Sequence, residues 1–343
     1  MRLAFALLLA ELGLRIAWPW VRPDLERQAP ARRRPPASAE AAEGPNLRTV
    51  LELARPNVRG FHKRLPFRNN SACFRGPEVS KIPAAGVFRI VVAGDSVTMG
   101  SGVLEQETYA ARLQASLEER RPGARYEVLN LGVSGLDIEG VVNRIERIGI
   151  PHHPDLIVYG YTLNDIEGPA YVSTMQKGSV KKRFGRLQRA SRSPSYLVRA
   201  VYPRWVQLYD NIFRPRGTLQ HDIHFNYWEN PPAWQAVEAG FDRLAGLAAE
   251  GGVCLHVFIH TGTNELTSQT LTHRIMAKVE SAAWRRGFSV TQSHPYFEGL
   301  DHSQLRLSAY DTHPNTAGHE VLARALTDGL LELPERCWLR PDS

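Results

Sequence analysis

Three short stretches hold the residue types of an acyl-transfer site: Gly94-Asp95-Ser96, Asn164-Asp165 and Asp311-Thr312-His313. A serine hydroxyl becomes a nucleophile when an imidazole takes its proton. A carboxylate beside that imidazole fixes its tautomer and stabilises the imidazolium. Ser96, His313 and Asp311 supply these groups. The oxyanion that forms needs neutral donors, and the backbone N–H groups of Ser96 and Gly132 with the side-chain amide of Asn164 are the candidates. Asp95 and His260 are candidates for the pocket wall. Taken singly, each has a plain structural reading. Asp95 and Ser96 are good turn and capping residues, Gly132 suits a tight turn, and a loop asparagine is common.

Their placement along the chain is what joins them. Residues 88–93, Phe-Arg-Ile-Val-Val-Ala, form an apolar, β-branched run that breaks at Gly94, as expected of a buried parallel strand. A helix is predicted over 105–120, with Tyr109, Leu113 and Leu117 on one face. Ser96 therefore follows a strand's carboxyl end, the edge where open α/β sheets bind ligands. A second strand is predicted at 126–131 and a helix at 137–148, which brings Gly132 to the same edge. A third strand at 154–160 leads to Asn164, and a strand at 253–259 leads to His260. Asp311 and His313 are expected in a tight loop, with Pro314 opening the helix that carries Val321, Leu322, Ala325 and Leu326.

These blocks resemble the SGNH (GDSL-type) hydrolase family. Gly94-Asp95-Ser96 is similar to its first block, Asn130-Leu131-Gly132 to its second, Leu163-Asn164-Asp165 to its third, and Asp311-Thr312-His313 to its last. Two departures stand out: the first block continues with Val97 where leucine is usual, and Asp-x-x-His is contracted to Asp-x-His. The resemblance runs from about Val87 to Leu331 outside one long insertion. It implies a three-layer α/β/α sandwich around a central parallel sheet, flavodoxin-like. It also implies a serine esterase that works through an acyl-serine without a cofactor.

Other chemistries fit less well. Glycines at 94, 100 and 102 beside a helix start suggest phosphate binding, but no Gly-Lys-Ser/Thr follows. His294, His302, His313 and His319 lack any His-Glu-x-x-His pattern or cysteine pair, so no metal is expected. His319 is expected as a capping or surface residue.

The chain has 343 residues, 43% of them hydrophobic, and a net charge of +7. That exceeds one minimal α/β domain. Residues 1–21 are largely apolar, interrupted by Glu11 and Arg15 and closed by Trp18 and Trp20, which suggests a membrane anchor or signal segment. Glu11 and Arg15 are spaced to pair on a helix. Residues 22–46 have a linker composition and are expected to be disordered. Residues 47–86 should pack on the catalytic domain at 87–335, which carries a basic insertion at about 168–232. Residues 168–209 hold nine Lys or Arg and no Asp or Glu, a candidate lid or docking face for an anionic partner, or simply a solvated segment. Nucleic-acid binding is not expected, because no motif for it appears. Phe225, Tyr227, Trp228 and Trp234 form an aromatic group that suits either core or pocket wall. Of the three cysteines, Cys254 is expected to be simply buried, and Cys73 and Cys337 to be able to pair in an oxidising compartment.

The expected function is hydrolysis of a carboxylic ester on a small molecule, glycan or lipid, such as an O-acetyl group. The alternatives are an O-acyltransferase acting on a cell-surface polysaccharide and a non-catalytic glycan-binding or assembly protein. The expected location is at a membrane, with the catalytic domain periplasmic or extracellular.

Overall fold

The computed structural model describes residues 2–21, 45–168, 193–202, 205, 219–260, 269–308 and 311–339. Its strands are a hairpin of β1 (Arg59–His62) and β2 (Leu65–Arg68), five parallel strands and a short antiparallel pair. The parallel strands are β3 (Val87–Gly94), β4 (Arg125–Asn130), β5 (Leu156–Thr162), β6 (Cys254–His260) and β7 (Ser289–Gln292); the short pair is β8 (Arg306–Ser308) and β9 (Asp311–Pro314). Along the main sheet the order is β4-β3-β5-β6-β7. That is the flavodoxin-like order, and its switch point lies between β3 and β5. Ser96 and Asn164 follow the carboxyl ends of those two strands.

Helices among the described residues include α1 (Arg2–Val21), α2 (Val50–Leu53), α3 (Ser96–Met99), α4 (Tyr109–Arg120), α5 (Ile138–Arg144), α6 (Leu219–Trp228), α7 (Pro231–Gly251), α8 (Gln269–Trp284) and α9 (Thr316–Leu331). Successive side chains of a strand point to opposite faces, and both faces here are apolar. Ile90 and Val92 of β3 pack with Tyr109, Leu113 and Leu117 of α4 and Leu322 and Leu326 of α9. Val91 and Ala93 face the other layer, with Val141 of α5, Phe241 of α7 and Val279 of α8. Each fully buried Val, Leu or Ile contributes about 1.5–3 kcal/mol, so the three layers hold the sheet edge rigidly.

Some boundaries differ from the periodicity. The first helix begins with a 3-10 turn at Glu105–Glu107, and α4 starts after Thr108, whose Oγ1 accepts from the Ala111 N–H at 3.2 Å. The second ends at Arg144 and runs on as a π turn to Gly149, just before Pro151, which has no N–H to continue a helical ladder. Asp311 and His313 lie on β9, not in a loop. Pro314 closes that strand, and Asn315 caps α9 by accepting the Gly318 N–H at 3.1 Å.

The cysteine expectation is corrected. Cys254 and Cys337 form the disulfide, across 83 residues, and Cys73 is free and half-buried. Cys254 opens β6, and the turn after α9 brings Cys337 back against it, a proximity that neither residue's local sequence carries.

The extension at 47–86 packs through Leu47, Leu53 and Phe67 onto Met99 and Val133. Its Arg75 is buried and donates to the carbonyls of Met99, Gly100 and Val103, the last two at 2.8 and 2.7 Å. These are carbonyls at and beyond the end of α3, which a helix cannot bond internally. The extension thus clamps the turn that carries Ser96.

Arg15 does pair with Glu11, at 3.0 Å. Glu11 also accepts from Ser195 Oγ and the Tyr196 and Leu197 N–H groups at 2.8–2.9 Å, capping the helix at 196–202. Those backbone donors hold the Glu11 carboxyl down to about 2. Among the described residues no helix is long and apolar enough to cross a membrane, so the spanning anchor expected at 1–21 is not supported. Two charged side chains interrupt the apolar run of α1. Of the linker expected at 22–46, residues 22–44 lie outside the described residues, as does most of the basic insertion, while Pro45 accepts the Phe61 N–H at 2.9 Å.

Candidate active site

The turn holding Ser96 is made tight by glycine. A Cβ at Gly94 would lie 2.6 Å from the Gly160 carbonyl and 2.9 Å from Thr98 Cβ. A Cβ at Gly132 would lie 2.7 Å from the Thr98 carbonyl carbon and 2.8 Å from Met99 Cα. Both lie inside contact distance, so only glycine lets α3 sit this close to the strand ends. Asp95 caps α3 by accepting the Val97 N–H on Oδ1 at 2.9 Å. The capping reading of Asp95 is therefore correct, but it leaves the second oxygen free for other partners.

Ser96 Oγ lies 2.9 Å from Nε2 of His313 and 3.3 Å from Oδ2 of Asp95. Nδ1 of His313 is 2.6 Å from Oδ1 of Asp311. A carboxylate only accepts, so Nδ1 carries the ring proton and Nε2 is left as an acceptor for the Ser96 hydroxyl. Asp311 and His313 stand two positions apart on β9, so their side chains lie on one face of the strand. This strand geometry lets the contracted spacing work. The His313 N–H also reaches Asp311 Oδ1, at 3.3 Å.

Asp311 has a further partner that the sequence did not reveal. Lys63 Nζ donates to Asp311 Oδ2 at 2.6 Å and lies 3.2 Å from Nδ1 of His313. Burial alone would raise the Asp311 carboxyl. The hydrogen bond from His313 and the charge of Lys63 outweigh it and hold the group well below the ordinary carboxylate range. Burial lowers the Lys63 ammonium from its usual value, with Asp311 opposing.

Of the three candidate oxyanion donors, two are engaged. Ser96 is the first residue of α3, so its N–H has no carbonyl a turn back within the helix. The Gly132 N–H donates to Asn130 Oδ1 at 3.0 Å, and Asn164 Nδ2 donates to Asp95 Oδ2 at 3.2 Å. Asn164 keeps its second amide hydrogen. The Asn164 turn is braced from below. The buried Asp165 accepts from Tyr159 Oη at 2.7 Å and Thr162 Oγ1 at 2.6 Å. Burial, and then the charge of Asp95, push its carboxyl well above the usual range. Tyr227 donates to the Leu163 carbonyl at 3.1 Å and its Oη meets Tyr161 Oη at 2.6 Å, so this member of the aromatic group is structural.

Two histidines lie deeper than expected. His260, a pocket candidate, is fully buried, and a Cβ on Gly160 would lie 3.3 Å from its Nε2. Burial lowers it to about 4, opposed by Asp95. His319, expected at the surface, is also fully buried and its Nδ1 accepts the Tyr109 N–H at 3.2 Å. Burial lowers it to about 3. Its position faces α4 because α9 packs there. Among the described residues, no group of three or more His, Cys, Asp or Glu could hold a metal ion.

A serine, a histidine and an aspartate joined in this way beside the carboxyl edge of a parallel sheet have the arrangement of a serine hydrolase, and the family match narrows the class to ester-cleaving ones. The family described as GDSL-like Lipase/Acylhydrolase matches residues 92–321, and the chain belongs to it. No curated protein matches the chain. Among solved structures it is similar to LAE5, an alpha/beta hydrolase enzyme from the metagenome of Lake Arreo, Spain, at 18% identity, over 71% of this chain and 94% of that one, with TM-score 0.44. It is also similar to Axe2, an acetylxylan esterase from Geobacillus stearothermophilus, at 15% identity, over 76% and 100%, with TM-score 0.40. A third likeness is to CEX, a two-domain esterase active on acetylated mannans, at 16% identity, over 72% and 50%, with TM-score 0.43.

Proposed function

We propose that the protein is a serine esterase in which Ser96 attacks the carbonyl of a carboxylic ester, such as an O-acetyl group on a glycan or lipid. His313 takes the Ser96 proton and later returns one to the leaving alcohol. Asp311 keeps the proton on Nδ1 and stabilises the imidazolium. The Ser96 N–H, the Asn164 amide and the Gly132 N–H receive the oxyanion, Gly132 by giving up its bond to Asn130. Water, losing a proton to His313, then attacks the acyl carbon, the bond to Ser96 Oγ breaks, the acid leaves and the proton returns to Ser96. The contact of 2.9 Å between Ser96 Oγ and His313 Nε2 carries this reading. The test is hydrolysis of a chromogenic short-chain ester, with Ser96→Ala abolishing it and keeping the wild-type Tm. Transfer of the acyl group to added sugar in preference to water would instead identify a transferase. Wild-type protein that neither turns over ester nor reacts at Ser96 with a fluorophosphonate would sink the catalytic reading.

The Cys254–Cys337 disulfide supports work in an oxidising compartment outside the cytoplasm. The exposed Leu8, Leu12 and Ile16 of α1 support contact of that helix with a membrane surface.

A further inference from the structure

Lys63 sits at the tip of the β1–β2 hairpin, 250 residues before His313 in the chain. It and Arg64 are the two turn residues, with φ of 49° and 72°. A two-residue turn with both φ positive is the place for Asn-Gly, and lysine there costs conformational energy. The hairpin is held in register by four cross-strand pairs and by His62, whose Nδ1–H donates to the Leu47 carbonyl at 3.1 Å and whose Nε2 accepts from Ser101 Oγ at 2.8 Å. The lysine is thus delivered to the site by a fixed element.

Its target is the oxygen of Asp311 that His313 does not use. The carboxylate is spanned by two donors, Nδ1–H on Oδ1 and the ammonium on Oδ2, each at 2.6 Å. The Lys63 ammonium does not donate to Nδ1, whose one proton is committed to Asp311. The side chain of Asp311 is 31% exposed, so without Lys63 water would bond Oδ2 and the carboxylate could rotate away from the ring. The His313 backbone N–H reaches Oδ1 at 3.3 Å, a long contact that leaves the orientation of Oδ2 to Lys63.

We infer that Lys63 is a positioning residue that extends the Ser96-His313-Asp311 relay, locking the Asp311 carboxylate against the imidazole from the N-terminal hairpin. This inference rests on the serine esterase reading.

The experiment uses the full chain and two readouts: the second-order rate of phosphonylation of Ser96 by a fluorophosphonate, and kcat and KM on a short-chain chromogenic ester. Lys63→Met is expected to lower kcat and the phosphonylation rate roughly 10- to 100-fold, with KM within about twofold. Lys63→Asn, which suits the left-handed turn, is expected to show the same loss with no fall in Tm, separating positioning from folding. Lys63→Cys alkylated with 2-bromoethylamine, which restores an ammonium at similar reach, is expected to recover most of the rate, with wild type treated alike as control. Either substitution reacting at the wild-type rate overturns the inference while labelling of wild-type Ser96 leaves the esterase reading intact. No labelling of Ser96 in the wild type overturns both.

Discussion

Ser96 Oγ and His313 Nε2 stand 2.9 Å apart although they are separated by 217 positions in the chain. Ser96 reaches that point on a glycine-bounded helix turn after the first strand of the sheet, and His313 on the last strand before the final helix. The contact exists because α4 and α9 share one face of the sheet.

Asp311→Asn tests the carboxylate without emptying its place. The amide's NH₂ would face Nδ1 and favour the wrong ring tautomer. The expected outcome is a fall in kcat of about 10⁴ with the fold intact, measured by ester hydrolysis beside circular dichroism.

Gly132→Ala should damage stability and rate together. Its Cβ would press on the Thr98 and Met99 backbone, and backbone cannot rotate aside. A loss of about 1–3 kcal/mol is expected, read from urea unfolding, with kcat reduced because α3 carries Ser96 away from His313. A variant with wild-type kcat would show that the close approach does not set the serine's position.

Acid should destabilise the fold in two stages with different causes. Burial lowers His256 to about 3, His260 to about 4 and His319 to about 3. Below about 6.5, the ordinary histidine value, the unfolded chain takes up protons that these rings refuse. Stability is therefore full above that pH and falls as pH drops through 4 toward 3. Asp311 acts lower down. Its folded value is depressed, so its contribution is present above about 4 and lost as pH falls further. Urea midpoints across pH should show the first stage unchanged in Asp311→Asn and the second weakened.

Thiol titration in denaturant should count one free thiol, on Cys73, and three after reduction. Cys337→Ala opens a loop of 83 residues, with an expected loss of about 2–5 kcal/mol. Two or more reactive thiols before reduction would contradict the Cys254–Cys337 pairing.

Much of the site was readable in the chain because its parts are local. Strand, glycine break and helix recur around Ser96 and Gly132, each within a span where apolar periodicity and turn chemistry speak plainly. The resemblance then joined blocks that periodicity alone leaves separate. What failed did so for lack of a long-range term. Asp311 and His313 look like a loop because only pairing with Arg306–Ser308 makes them a strand. His319 looks like a surface residue because only the packing of α9 on α4 buries it. Cys254 looks like plain core because its partner arrives from the far end of the chain.

Residue type and spacing by themselves pointed to a parallel α/β sheet with Ser96, Gly132 and Asn164 following the carboxyl ends of its strands, since strand periodicity and tight turns are encoded over a few neighbours. Tertiary structure alone decided which oxygen of Asp311 faces the ring, that Lys63 holds the other, and that the Gly132 N–H is engaged by Asn130. Those are contacts of a few ångströms between groups, some brought together from opposite ends of the chain, and they depend on side-chain orientation that no local pattern records.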